Sequence, residues 1–203
     1  SNPQQSANNS QNTLQNGNNS VPLQEKKRKR AQEIIDKIQG GNNTVYLFDM
    51  NDIIKVLEDA GVSQISIGNV KKQIAQMREG DVIGGFQIGN KIFINYEQDE
   101  NEIRRKYVHE RQHILTTAQL ANKIASSMSW DELFDVVCNL CGSKAYQDRN
   151  AIDLANELIS FSMEWVYEYD NNQIVRGVLK KYGLNEEQIL TLINLGNEQR
   201  KDN

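Results

Sequence analysis

The chain has 203 residues and a formal net charge of −4 at pH 7, with 25% charged and 38% hydrophobic residues. These values are typical of one soluble domain, and no apolar run approaches the length of a membrane span, so we expect no membrane-spanning segment. The acidic balance also argues against nucleic acid as the main partner.

The first 24 residues differ in composition from the rest of the chain. They are dominated by Asn, Ser and Gln and contain both prolines, Pro3 and Pro22. Such a segment cannot bury enough apolar surface to order itself. We therefore predict a disordered, flexible tether over 1–24 and a single folded domain over 25–203. The chain begins with Ser, which we interpret as processing or truncation, so the compartment is not predicted.

Five consecutive cations follow the predicted tether, at residues 26–30 (K-K-R-K-R), and lead into an amphipathic segment over 31–39. A basic run of this kind can contact phosphates or anionic lipid. No aromatic residues are interleaved with it, and the overall charge is negative. We favour a solvated first helix over a nucleic-acid-binding surface.

The next elements are short. Periodicity and breaker residues predict, in chain order, a strand over 44–48, a helix over 51–60, a short extended piece or loop over 65–67 and a helix over 70–78 that Gly80 stops. Residues 82–96 then read as two apolar runs separated by Gly89-Asn90, which is a two-residue hairpin signal. In the second run apolar side chains alternate, so one face can pack on a helix while the backbone edge stays available.

The segment His109-Glu110-Arg111-Gln112-His113 has the pattern H-E-x-x-H, and these are the two histidines of the chain. Asp99 and Glu102 form a capping-box pattern upstream, which places the motif about two to three turns inside a helix. Residues four apart lie on one helix face, so both imidazoles can reach one Zn²⁺ while Glu110 points to a bound water. The alternative is two ordinary helix residues in polar contact.

A strand K-I-F-I-N-Y, a short acidic stretch and a helix with H-E-R-Q-H together resemble the zincin zinc metallopeptidases, in particular their small gluzincin-like members. The resemblance covers residues 82–114. It implies a zincin-like fold, Zn²⁺ as cofactor, a peptide or protein substrate held along a strand edge, and hydrolysis of the peptide bond by a zinc-activated water. In this scheme His109 and His113 bind the metal and Glu110 is the general base.

A catalytic zinc of this type needs a third protein ligand. The metzincin pattern would require Gly at 116 and His at 119, where this chain has Thr116 and Gln119. A deformylase-like site would require a Cys upstream of the motif, whereas Cys138 and Cys141 lie downstream. The remaining zincin solution for the third ligand is the gluzincin arrangement, in which an acidic residue of a later helix binds the metal.

The best source of that ligand is the helical segment 151–169, which is apolar except for one stripe: Asp153, Glu157, Ser160, Glu164 and Glu168. The family's third ligand commonly sits in an N-E pair, which Asn156-Glu157 matches, so we predict Glu157 as the third metal ligand. Glu164 is the alternative third ligand. Two helical turns separate Glu157 from Glu164, so both cannot bind one ion. Asp153 could support a ligand from behind. The stripe could also simply face solvent.

The family pattern is incomplete, because the position four residues after Glu157 holds Phe161 rather than an acid. The residue that stabilises the oxyanion is also open, with Tyr146 and Tyr167 as chemical candidates. Cys138 and Cys141 lack further ligands to form a structural zinc site, so we interpret them as buried free thiols.

Helices are further predicted over 129–141, 173–182 and 185–197. The fold class is therefore α+β, mainly helical with a small β-hairpin or sheet packed beside the active-site helix. The rivals of the peptidase hypothesis are a catalytically inactive zincin-like binding or structural module and a nucleic-acid-associated accessory protein that uses residues 26–30. The sequence does not predict cleavage specificity or oligomeric state.

Overall fold

The computed structural model describes residues 12–38, 43–142 and 146–201. The described part of the chain is mainly helical with a small three-stranded sheet, which confirms the mainly helical α+β class. The described elements are, in order, α1 Asn12–Asp36, β1 Thr44–Phe48, α2 Ile53–Asp59, α3 Gln64–Gln76, β2 Gly85–Ile88, β3 Lys91–Asn95, α4 Glu100–Leu115, α5 Ala118–Ser127, α6 Trp130–Cys141, α7 Ala151–Glu168, α8 Asn172–Lys181 and α9 Glu186–Lys201.

The sheet has the strand order β1-β3-β2. The predicted hairpin is confirmed: β2 and β3 pair antiparallel around Gly89-Asn90, and Gly89 has the positive φ of 59° that such a turn needs. The prediction that the second hairpin strand keeps a free backbone edge is wrong, because β1 pairs with β3 in parallel on its other side. Among the described residues, β1 and β2 are the two edge strands of this sheet.

Helix α4 packs on this sheet. Its N-cap Asp99 accepts a hydrogen bond of 2.8 Å from the backbone N–H of Glu102, as the capping pattern predicts. Ile92 and Ile94 of β3 are fully buried in one cluster with Ile103 and Tyr107 of α4. The sheet thereby fixes how α4 is oriented, and with it the face on which the H-E-x-x-H residues lie.

Helix α7 is the centre of the helical half. It packs against α4, α5, α6, α8 and α9. Leu154, Leu158 and Met163 are fully buried there, and each such side chain contributes roughly 1.5–3 kcal/mol of apolar burial. Gly196 of α9 lies directly against Val166 of α7, where a Cβ would clash. The α4–α7 pair is thus held from several sides.

Helix α1 begins at Asn12, inside the segment 1–24 for which we predict a tether, and residues 1–11 lie outside the described residues. Its C-terminal part buries Ala31, Ile34 and Ile35 against the sheet and α4. The prediction of a tether followed by one domain over 25–203 stays a prediction.

Two local predictions need correction. Residues 65–67 are not extended but belong to α3, because the side chain of Ser63 caps that helix at the backbone N–H of Ser66. Cys138 and Cys141 are half-buried rather than buried, and no disulfide joins them. In the part of the chain that the structure describes, no helix is long and apolar enough to cross a membrane.

Candidate metal centre

The two histidines of α4 lie on one face of the helix, one turn apart. Their Nε2 atoms are 3.2 Å apart, and the ring of His109 meets that of His113 edge to face. His109 is 7% exposed and the neighbouring Glu110 9% exposed. A contact of two imidazole nitrogens at this distance brings two potential ligand atoms to one point.

Helix α7 brings Glu157 to the same point. Its Oε2 lies 3.1 Å from Nε2 of His109, and its Oε1 lies 3.2 Å from Nε2 of His113. One ligand atom from each of these three residues can be chosen so that all lie within 4.8 Å of one another. Ligand atoms around a tetrahedral Zn²⁺ with bonds of about 2.0–2.1 Å are about 3.3 Å apart, so the observed spacing fits such an ion.

Glu164, the alternative third ligand, takes a different position. Its Oε2 lies 3.0 Å from Nδ1 of His109, on the opposite side of the ring from Glu157. A carboxylate at the outer nitrogen of a ligating histidine fixes the tautomer and the ring orientation. Phe161, at the place where the family pattern has an acid, packs edge-on against the His109 ring at a centroid distance of 4.5 Å. The acid that contacts Nδ1 of His109 therefore comes seven residues after Glu157 rather than four.

The central part of the acidic stripe of α7 is turned inward, so the alternative of a solvated side is wrong for Glu157, Ser160 and Glu164, whereas Glu168 is exposed. Glu157 and Glu164 contact His109, the Ser160 side chain is fully buried, and Glu168 pairs with Arg105 of α4 at 3.9 Å. Asp153 lines the cleft one turn before Glu157, while the contact behind His109 is made by Glu164.

The pKa values follow from this crowding of charge in the metal-free protein. Burial lowers the pKa of His109, but hydrogen bonds with Glu157 and Glu164 outweigh it and raise the pKa to about 10. Burial also acts to raise the pKa of Glu157, whereas its hydrogen bonds with His109 and His113 bring it well below the usual range. In the metal-free protein, a proton on His109 thus balances the negative charge of Glu157 and Glu164 at the point where a metal cation would bind.

A cleft of about 670 Å³ opens over these residues. Its walls come from β2, from α4 and α5, and from the turn and first helical turns around the start of α7. Glu110 lines it beside the two histidines, and burial raises the pKa of its carboxyl group, against the opposing effect of both imidazoles. A carboxylate with a raised pKa is a stronger proton acceptor than one with the ordinary pKa.

The two tyrosines considered as hydrogen-bond donors to the oxyanion differ in their position relative to the cleft. Tyr146 lines the cleft, and burial together with the charge of Glu157 raises its pKa, so its hydroxyl stays protonated. Tyr167 does not line the cleft; its ring centre lies 5.4 Å from the guanidinium carbon of Arg111 and 5.3 Å from that of Arg200. Tyr146 is therefore the candidate that geometry supports. The sequence carried no signal for this choice, because it depends on which tyrosine the packed chain brings to the cleft.

The free edge of β2 forms one wall of the cleft. The backbone N–H of Asn95 bonds to the carbonyl of Gly84 at 2.9 Å, so by alternation Phe86 and Ile88 also pair toward β3. The backbone groups of Gly85 and Gln87 consequently point away from the sheet, toward the cleft that both residues line. An extended peptide could pair with them.

The basic run is partly engaged elsewhere. Lys27 forms an ion pair of 2.7 Å with Glu97, and Arg28 one of 3.0 Å with Asp52. Both contacts tie α1 to the loops around the sheet, which lowers the positive charge that this run can offer to phosphates.

No protein-family model matches the chain, and neither a curated protein nor a solved structure does. The resemblance to zincins therefore stays an interpretation of the motif and its neighbourhood.

Proposed function

We propose that this protein is a zinc-dependent metallopeptidase in which His109, His113 and Glu157 bind Zn²⁺ and Glu110 acts as the general base. The observation that carries the proposal is the convergence of three ligand atoms within 4.8 Å on the floor of an open cleft. A cleft leaves room for the open coordination position that a catalytic zinc site keeps.

The donor set supports this choice of metal. Two imidazole nitrogens and one carboxylate are a known ligand combination of catalytic zinc. The contact of Glu164 with Nδ1 of His109 supplies the outer carboxylate that commonly accompanies a ligating histidine. Calcium and magnesium prefer all-oxygen surroundings, so two histidines disfavour both.

Each nearby side chain has a role in this chemistry. Zn²⁺ bound in such a site supplies a Lewis acid that activates water and polarises a carbonyl group. Glu110 accepts the proton of the attacking water and passes it to the leaving amine. The protonated hydroxyl of Tyr146 donates a hydrogen bond to the carbonyl oxygen as negative charge develops on it.

The proposed substrate is a peptide segment in extended conformation. Gly85 and Gln87 offer outward backbone groups along one wall of the cleft, and main-chain hydrogen bonds to a sheet edge bind peptides with little dependence on sequence. They would hold the scissile bond beside Glu110 and the metal ligands.

The test is metal analysis of the purified protein, combined with a peptide-library cleavage assay read by mass spectrometry. We expect one zinc per chain in the wild type, loss of stoichiometric zinc in Glu157→Ala, and retention in Glu110→Gln without cleavage. A wild-type protein that takes up no stoichiometric zinc at neutral pH contradicts the proposal.

The cleavage assay tests one rival, and a nucleic-acid binding titration at several salt concentrations tests the other. An inactive zincin-like module binds zinc, or no metal, and cleaves no peptide in either the wild type or Glu110→Gln. A nucleic-acid accessory protein binds DNA or RNA with an affinity that falls steeply with salt and survives the loss of His109. Because Lys27 and Arg28 already have carboxylate partners, we expect only weak binding of this kind.

A further inference from the structure

The cleft contains a cation that the proposed chemistry does not use. Arg149 lines the cleft in the turn that precedes α7, next to the N-cap Asn150. Two hydrogen bonds fix the backbone of this turn: the N–H of Arg149 donates to the carbonyl of Tyr146 at 3.2 Å, and the indole N–H of Trp130 donates to the carbonyl of Arg149 at 2.8 Å. The backbone position from which the Arg149 side chain extends is thus fixed.

The guanidinium of Arg149 is available to a ligand. The residue is exposed, and within residues 12–38, 43–142 and 146–201 it has no ion-pair partner. Its guanidinium carbon lies 5.8 Å from the centre of the Tyr146 ring, which places it beside the proposed oxyanion donor. A guanidinium offers several N–H donors in a planar arrangement that matches a carboxylate.

Charge in the cleft makes this residue distinctive. Of the described lining residues, Glu110, Asp153 and Glu157 are acidic, and Arg149 is the one with a permanent positive charge. Glu110 and Glu157 are occupied by the proposed chemistry. Asp153 lines the same part of the cleft and repels a bound anion. A substrate carboxylate is therefore stabilised only when it contacts the guanidinium of Arg149 directly.

We propose that Arg149 is a specificity-determining residue that binds a carboxylate of the substrate. The carboxylate is either an acidic side chain or a free C-terminus, and the exposed apolar side chain of Ile152 can contact the adjoining part of the peptide. This inference rests on the proposed function for the claim that the ligand is a peptide. It adds a preference that the metal centre alone does not impose.

The test uses heptapeptides with blocked ends that carry Glu, Gln or Lys at each position in turn, and a second set with a free or an amidated C-terminus. Binding is measured with the zinc-loaded Glu110→Gln protein and cleavage with the Glu110-intact protein, each with Arg149 or Arg149→Gln. Lys123→Gln is the matched control, because it removes an exposed positive charge on α5 outside the cleft lining.

We expect the preferred acidic peptide to bind roughly tenfold more tightly than its Gln counterpart, as for a charge-assisted hydrogen bond. Arg149→Gln abolishes this ratio, whereas Lys123→Gln preserves it. Dependence on an internal Glu identifies a side-chain carboxylate, and dependence on the free C-terminus identifies a terminal one.

The two proposals fail separately. Peptides that are cleaved with no preference for a carboxylate, or with an equal preference in Arg149→Gln, refute the role of Arg149 and leave the peptidase standing. Acidic peptides that bind through Arg149 but are never cleaved refute the peptidase and leave the carboxylate site standing. If no acidic peptide binds the wild-type cleft, with or without zinc, the inference is wrong.

Discussion

Replacing Glu164 tests whether this carboxylate supports a metal ligand rather than binding the metal itself. Its Oε2 is 3.0 Å from Nδ1 of His109, and its side chain is only 14% exposed, so little water competes for the contact. In Glu164→Gln an amide oxygen can still accept the hydrogen bond, but the negative charge is lost. In Glu164→Ala both are lost.

The expected magnitudes follow from that difference. Outer partners of ligating histidines typically change metal affinity about 10–100-fold. We expect the zinc affinity to fall about tenfold in Glu164→Gln and about 100-fold in Glu164→Ala, the larger loss corresponding to about 2.7 kcal/mol. Glu157→Ala should lose stoichiometric zinc altogether, because it removes a ligand.

The assay is competition for zinc against a chromogenic chelator at pH 7, with circular dichroism to confirm that each variant is folded. Glu168→Gln is the control, because Glu168 lies at the outer end of the same stripe and pairs with Arg105 rather than with a histidine. Unchanged zinc affinity in both Glu164 variants would refute the reasoning. Loss of zinc in Glu164→Ala with retention in Glu157→Ala would exchange the two roles.

Three further predictions concern catalysis, pH and packing. Glu110→Gln should keep zinc but lower kcat by about 10²–10⁴-fold, measured on the best library peptide. In the metal-free protein, the raised pKa of His109 contributes its full stability below the unfolded value of 6.5, and the lowered pKa of Glu157 contributes its full stability above 4.5. The contact between them is therefore most stabilising between these two pH values. Thermal unfolding in the presence of a chelator should show that His109→Gln lowers the melting temperature most in this range and less outside it. Gly196→Ala should lower the free energy of unfolding by about 1–3 kcal/mol, because its Cβ meets Val166, and an unchanged denaturant midpoint contradicts this.

Much of the fold was predictable where local chemistry is strong. The boundaries of β1, the Gly89-Asn90 hairpin and the cap of Asp99 on α4 depend on neighbouring residues, and the structure confirms each. The spacing of His109 and His113 predicted that both lie on one helix face, whereas the choice of Glu157 over Glu164 came from the resemblance to zincins. In the structure, His109, His113 and Glu157 form one cluster. It came together because α4 and α7 pack side by side.

The features that sequence missed are those that depend on non-local pairing. The sequence of β3 does not predict that β1 pairs with its second edge, because the backbone of any strand can form hydrogen bonds on both sides. The place of Glu164 behind His109 was missed because the family spacing directs attention to Phe161, although positions four and seven apart lie on the same helix face. The difference between Tyr146 and Tyr167 depends on three-dimensional packing alone.

The distance in sequence between the ligands has a consequence for the whole chain. His109 and Glu157 are 48 positions apart, and α5 and α6 lie between them. A bound ion would act as a cross-link that closes this loop and reduces the freedom of the unfolded chain, as well as stabilising the native state by mass action. Removing the ion should therefore loosen α5 and α6 too, and increase proteolytic cleavage within them before the sheet is affected.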